Sequence, residues 1–168
     1  MAEREIIVDR ETLTYEGLFN AKDFSKMVFG WLKDHRYIPV EKRHSENLRP
    51  EGKYYVLEFE PFLKLSDYAK SIIKLHVEFQ QVKDVTVERD GKKQKLQEGK
   101  ILIQTMGILE TDYEHRWETK PVYYFVRTIW EKYVYAPFIS GHQKRVKSDV
   151  MSLKSHLKSY LNLETFQP

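Results

Sequence analysis

Residues 71–113 decide the fold. They run from Ser71-Ile72-Ile73-Lys74-Leu75-His76-Val77-Glu78-Phe79-Gln80-Gln81-Val82, through the basic tip Arg89-Asp90-Gly91-Lys92-Lys93-Gln94-Lys95, to Ile101-Leu102-Ile103 and Tyr113. In the first arm Ile73, Leu75, Val77 and Phe79 alternate with Lys74, His76, Glu78 and Gln80, the period of a strand with one buried face. The apolar phase slips after Phe79 and resumes at Val82, Val85 and Val87, as an extra residue near Gln80-Gln81 in a β-bulge would produce. Ile101, Ile103 and Ile108-Leu109 mark the return arm, with Gly107 a second candidate bend. Nineteen residues of flat strand would run about 60 Å at about 3.3 Å each. A compact chain of this size has a radius of gyration near 15 Å. The hairpin must therefore curl around a core or push its tip into solvent, and both leave the basic tip exposed.

Working outward, Ile6, Val8, Leu13, Tyr15 and Phe19 predict an opening strand over 5–19. Asn20, with Asp23 three residues on, predicts a helix start of capping-box type. Phe24, Met27, Val28, Trp31 and Leu32 then form one helical stripe, which should end near His35 because Pro39 disfavours helix at Ile38. Two strands are expected at 37–46 and 53–62, joined by the turn Arg49-Pro50-Glu51-Gly52. Beyond the hairpin, Thr119 and Pro121 open a stripe of Val122, Phe125, Val126, Ile129 and Tyr133. This predicts an aromatic helix near 121–135 that ends at Pro137, although its β-branched and aromatic content also suits a strand. A last helix is expected from about His142 to Leu163. Its core stripe is Val146, Val150, Leu153, Leu157 and Tyr160, and Lys144, Lys147, Lys154 and Lys158 lie on an adjoining flank.

The chain has 168 residues and no cysteine. That length is enough for one domain with a real core, and we expect a single domain over 1–168. Thiolate metal sites and disulfides are excluded. No apolar run approaches the roughly 20 residues that span a bilayer, and the first residues begin no signal peptide, so a cytoplasmic protein is the expectation. The net charge is +3. Basic and acidic side chains balance up to residue 135, so the excess falls on the last segment, which is a clue to a partner rather than to the fold.

Chemistry is harder to find. Asp112 and His115 could share a metal, or Glu114 and His115 serve in acid–base work, but a polar strand end anchored by Trp117 accounts for them more simply. Glu58 and Glu60 share a strand face as a glycosidase pair might, yet Lys74 and His76 on a neighbouring strand could pair with them across the sheet. The Gly-rich phosphate loop, GxSxG and HExxH are all absent from the sequence. We therefore nominate no catalytic residue, metal or cofactor, and lean away from an enzyme.

The fold class expected is α+β: a curved antiparallel β-sheet with long hairpins packed against a long C-terminal helix, plus one N-terminal helix and the aromatic helix. The order strand, helix, antiparallel strands with long hairpins, long C-terminal helix resembles the helix-grip order of START-like and pollen-allergen-like domains. That resemblance implies a sheet gripping the last helix, with Val146, Val150, Leu153 and Leu157 opposite Ile73, Leu75, Val77, Ile101 and Ile103, and often an apolar ligand cavity between them.

Three functions follow as expectations. The first is a non-catalytic binding protein that docks on RNA or a ribonucleoprotein surface through Arg89, Lys92, Lys93 and Lys95 of the tip and Lys144, Lys147, Lys154 and Lys158 of the last helix. The second is a carrier or sensor of an apolar small molecule or lipid in a helix-grip cavity. The third is a protein–protein interaction module that uses the aromatic helix.

Overall fold

A computed structural model describes residues 3–111, 129 and 136–166. The elements are β1 (Glu3–Phe19), α1 (Ala21–Asp34), β2 (Glu41–Arg49), β3 (Gly52–Phe59), β4 (Phe62–Lys64), β5 (Ala69–Arg89), β6 (Lys92–Thr111) and α2 (Ala136–Phe166). The six strands form one antiparallel sheet in the order β1-β6-β5-β3-β2, with β4 paired to the start of β5. The protein is thus α+β, an open antiparallel sheet with two helices among the described residues.

The hairpin forms as its alternation requires. Ile73, Leu75, Val77 and Phe79 pair with Gly107, Thr105, Ile103 and Ile101. Val150, Leu153, Leu157 and Leu161 of α2 share one buried cluster with these strand residues and with Phe24, Val28, Trp31 and Leu32 of α1. Val146 joins Ala69 and Leu109 in a second cluster. Both helices therefore lie on the face that carries Ile73 and Ile101. Phe24 meets Phe79 edge-on at 5.7 Å, and Phe29 meets Phe59 at 5.7 Å, which seats α1 over β3 and β5. On the opposite face Lys74, His76, Glu78 and Gln80 are half-buried.

The expected bulge is present. Register shifts between Gln80 and Lys83, and Gln81 takes φ +54°, the left-handed region. The bulged backbone is tightly flanked, because a Cβ on Gly52 would stand 2.9 Å from Gln81 C and one on Gly99 would stand 2.9 Å from Gln80 O. Gly107 has a different cause from the bend suggested by the sequence. The pairing of β5 with β6 runs through it unbroken, and the irregularities lie across from it on β1, between Ile6 and Glu11. A Cβ at Gly107 would meet Val150 Cγ2 at 2.7 Å and Val146 Cγ1 at 2.9 Å, so this glycine lets α2 lie close on the sheet.

Several boundaries moved, each for a local reason. The strand expected at 37–46 begins instead at Glu41. Tyr37 turns its ring into the core, and only Ile38 bridges to Phe62. The strand expected at 53–62 ends at Phe59, since Pro61 has no N–H to continue a ladder, and a separate β4 follows. Pro137 occupies the first turn of α2, where an N–H is not needed. The aromatic helix near 121–135 and the cluster Asp112, Glu114 and His115 lie outside the described residues, apart from helical Ile129.

Candidate nucleic-acid interface

The pairing of β3 with β5 stops at Lys53–Val82, and that of β1 with β6 stops at Phe19–Gln97. Beyond those points, from Val85–Leu96 to Arg89–Lys92, β5 and β6 pair only with each other among the described residues. This two-stranded arm extends about 15 Å at about 3.3 Å per residue. Asp90 and Gly91 close it with φ +50° and +75°, the signature of a type I′ turn that matches strand twist. Lys92, Lys93 and Lys95 are exposed and have no ion-pair partner among the described residues.

Register divides the tip's cations between two faces. Asp84–Gln97, Thr86–Lys95 and Glu88–Lys93 are alternate pairs and share one face, continuous with Gly99 and Ile101 on the helix side. Arg89 and Lys92 pair at positions of the other face. The arm also carries Asp84, Glu88 and Asp90, which dilute its charge.

The lysines of α2 stand apart from the arm. Gln143 donates to Glu5 at 2.8 Å, Val146 and Val150 pack at Gly107, and Tyr160 stacks edge-on with Phe24. The helix therefore runs from the far end of the sheet toward the arm's root. Lys144 and Lys147 lie about 50 Å of strand from the tip, by sixteen residues at about 3.3 Å each. Lys144, Lys147 and Lys158 are exposed. Lys154 is not free: its Nζ donates to Glu11 Oε2 at 2.6 Å, pinning α2 to β1.

At the root of the arm, on the helix side, an open pocket of about 210 Å³ is bounded by Phe19, Tyr55, Leu57, Phe79 and Val82. Ser25, His44, Asp84 and Gln97 supply its polar rim. Gln97 Oε1 accepts from the Ala21 N–H at 3.0 Å, which ties α1 to the arm, while Gln97 Nε2 reaches Asp84 Oδ1 only at 3.5 Å.

One polar cluster was not legible as a unit in the sequence. Tyr37, Ser71 and Asp149 are all buried. The Tyr37 hydroxyl lies 2.7 Å from Ser71 Oγ and donates to Asp149 Oδ2 at 2.7 Å, and Arg145 Nε holds both oxygens of Asp149 at 3.2 and 3.0 Å. Burial, and then the Asp149 carboxylate, push the Tyr37 phenol well above its ordinary range. The one sequence signal was Asp149 itself, three residues from Val146 on the apolar stripe. On the opposite sheet face the cross-strand pairing does form: His76 Nδ1 lies 3.0 Å from Glu58 and Lys74 Nζ 3.7 Å from Glu60. His76 Nε2 also reaches Glu78 at 2.9 Å, and that hydrogen bond holds the Glu78 carboxyl below its usual range. Glu58, Glu60, Lys74 and His76 line an open groove of about 400 Å³ with Arg10, Lys42, Gln104 and Met106.

Among the described residues no three His, Asp or Glu side chains are placed to hold a metal ion, and no helix is long and apolar enough to cross a membrane. No protein-family model matches the chain, and no curated protein matches it in sequence.

Proposed function

We propose that this is a non-catalytic binding protein that docks its β-ribbon arm on RNA or a ribonucleoprotein surface. The observation that carries this reading is the arm itself, a stretch of hairpin that leaves the sheet and ends in three exposed lysines without ion-pair partners among the described residues. A ladder that adds little to the core beyond Leu96 has little packing reason to be long, and cations at its end can replace the counterions of a phosphate backbone. Lys158, at the arm end of α2, can add to the same contact, whereas Lys144 and Lys147 serve only a partner large enough to span the sheet. The order of elements, with α2 packed across β1, β5 and β6, also supports the helix-grip likeness as a proposal. We rank an apolar carrier below arm docking because Val150, Leu153, Leu157 and Leu161 are all but fully buried against the sheet.

The test is fluorescence anisotropy with a structured RNA across a salt series. Replacing Lys92, Lys93 and Lys95 together by Glu should weaken binding at least tenfold. The slope of log K against log salt should become shallower by about two to three, at roughly 0.7–0.9 per phosphate contact. Unaltered affinity and slope would remove the arm from the interface.

A further inference from the structure

We propose that the pocket at the arm's root takes one unpaired nucleobase, with Lys95 and Lys93 on the phosphates that flank it. The inference deepens the docking function proposed above and rests on it. Residues 83–98 contain no aromatic side chain, so the arm cannot itself stack a base. Among the described residues, the rings at the arm's root are those of the pocket, where half-buried Tyr55 stands with Leu57 as a wall beside buried Phe19 and Phe79. An apolar cavity of about 150 Å³ accepts a single benzene ring, and the space here is about 210 Å³. It therefore suits a flat heterocycle inserted from an open side rather than a lipid chain.

The rim defines the chemistry. Asp84 offers a carboxylate, and the long Gln97 contact leaves that carboxylate most of its accepting capacity. Such an acceptor favours bases that present an exocyclic amino group, and guanine most of all because its N1–H and N2–H lie side by side. Uracil presents a single N–H between two carbonyls and fits worst. Asp84 and Gln97 are paired across the hairpin, and Lys95 and Lys93 follow on the same face of β6 at alternate positions, about 7 and 13 Å farther out at about 3.3 Å per residue. Base pocket and cations are thus collinear, as a strand entering the pocket and running out along the arm requires. Unstacked bases held on rings and read on their Watson–Crick edges are the usual route to sequence selectivity in RNA.

The experiment compares a fully paired RNA hairpin with the same hairpin carrying one bulged guanosine or one bulged uridine. Wild type should bind the guanosine bulge at least tenfold more tightly than the duplex, and the uridine bulge less than threefold more tightly. Ser25→Trp, which fills the pocket from α1, and Asp84→Asn, which removes the acceptor with little change in shape, should each abolish the guanosine gain over the duplex. Ser25→Trp should leave duplex binding unchanged, and Asp84→Asn, which removes a negative charge near the cations, should not weaken it. Equal affinity of wild type for all three RNAs, or a gain that survives both substitutions, overturns the pocket. Guanosine 5′-monophosphate titrated alone, followed by amide shifts at Ser25, Asp84 and Gln97, separates the two claims. If no RNA binds but these amides shift, the pocket stands and arm docking falls; if they do not move, the pocket falls.

Discussion

The two halves of one hairpin make the instructive comparison. Between Ala69–Thr111 and Gln80–Lys100 the ladder is flanked by β3, β4 and β1 and roofed by α1 and α2, and its helix-side residues are almost wholly buried. Between Val85–Leu96 and Arg89–Lys92 the same two strands continue without neighbouring strands among the described residues, and most of their side chains, buried Leu96 apart, are exposed. The backbone pairing is alike in both halves, but the surroundings differ. Stability resides in the first half because hydrophobic burial dominates the favourable side of folding. Side chains in the second half are under little packing constraint, which leaves them available to a partner.

If that division is correct, substitutions should sort by half. The largest loss is expected at Leu153, fully buried at the centre of α2. Leu153→Ala should cost about 2–5 kcal/mol in urea unfolding, for the lost transfer energy and the cavity left behind. Gly107→Ala should cost about 1–3 kcal/mol by pressing α2 off the sheet, a result opposite to the gain expected where a strand glycine merely lacks a side chain. Tyr37→Phe should cost about 1–3 kcal/mol, since Ser71 and Asp149 each lose a partner while buried. The Lys92, Lys93 and Lys95 reversal should change stability by no more than about 0.5 kcal/mol, however strongly it affects binding. A large loss there would show that the arm belongs to the core after all.

The smallest effect concerns acid. The Glu78 carboxyl is held below its unfolded value, so its stabilising contribution is complete above that value and is lost as pH falls through the folded one. Glu78→Gln should therefore flatten the acid limb of a stability–pH curve and leave the neutral region nearly unchanged. Because the group is partly exposed, the change should be slight. An unaltered acid limb would mean that the His76 contact is not maintained in solution.

Periodicity made the regular parts of this fold legible. The α1 stripe, the capping role of Asn20, the alternation of β5 and the slip at Gln80-Gln81 are all local patterns, and local geometry produced each of them. The misplaced boundaries at Tyr37 and Pro61 had another source. Tyr37 and Ile38 have strand-like propensity, but Tyr37 was claimed by a hydrogen-bonding partner 112 positions away in the chain. The cations at the tip were visible as a cluster, but their division between two faces depended on register across the hairpin. Lys154 looked like its neighbours until β1 brought Glu11 beside it.

The sequence by itself therefore determined the long hairpin, the opening strand and the first and last helices, where the hairpin is bulged and where its charge collects, because each depends on residues within one or two turns of one another. Only the tertiary structure decided which part of the hairpin stands free, which lysines remain unpaired, and which rings and carboxylates meet at its root. Those outcomes depend on where neighbouring strands stop and on contacts between residues many tens of positions apart, and no local pattern encodes them.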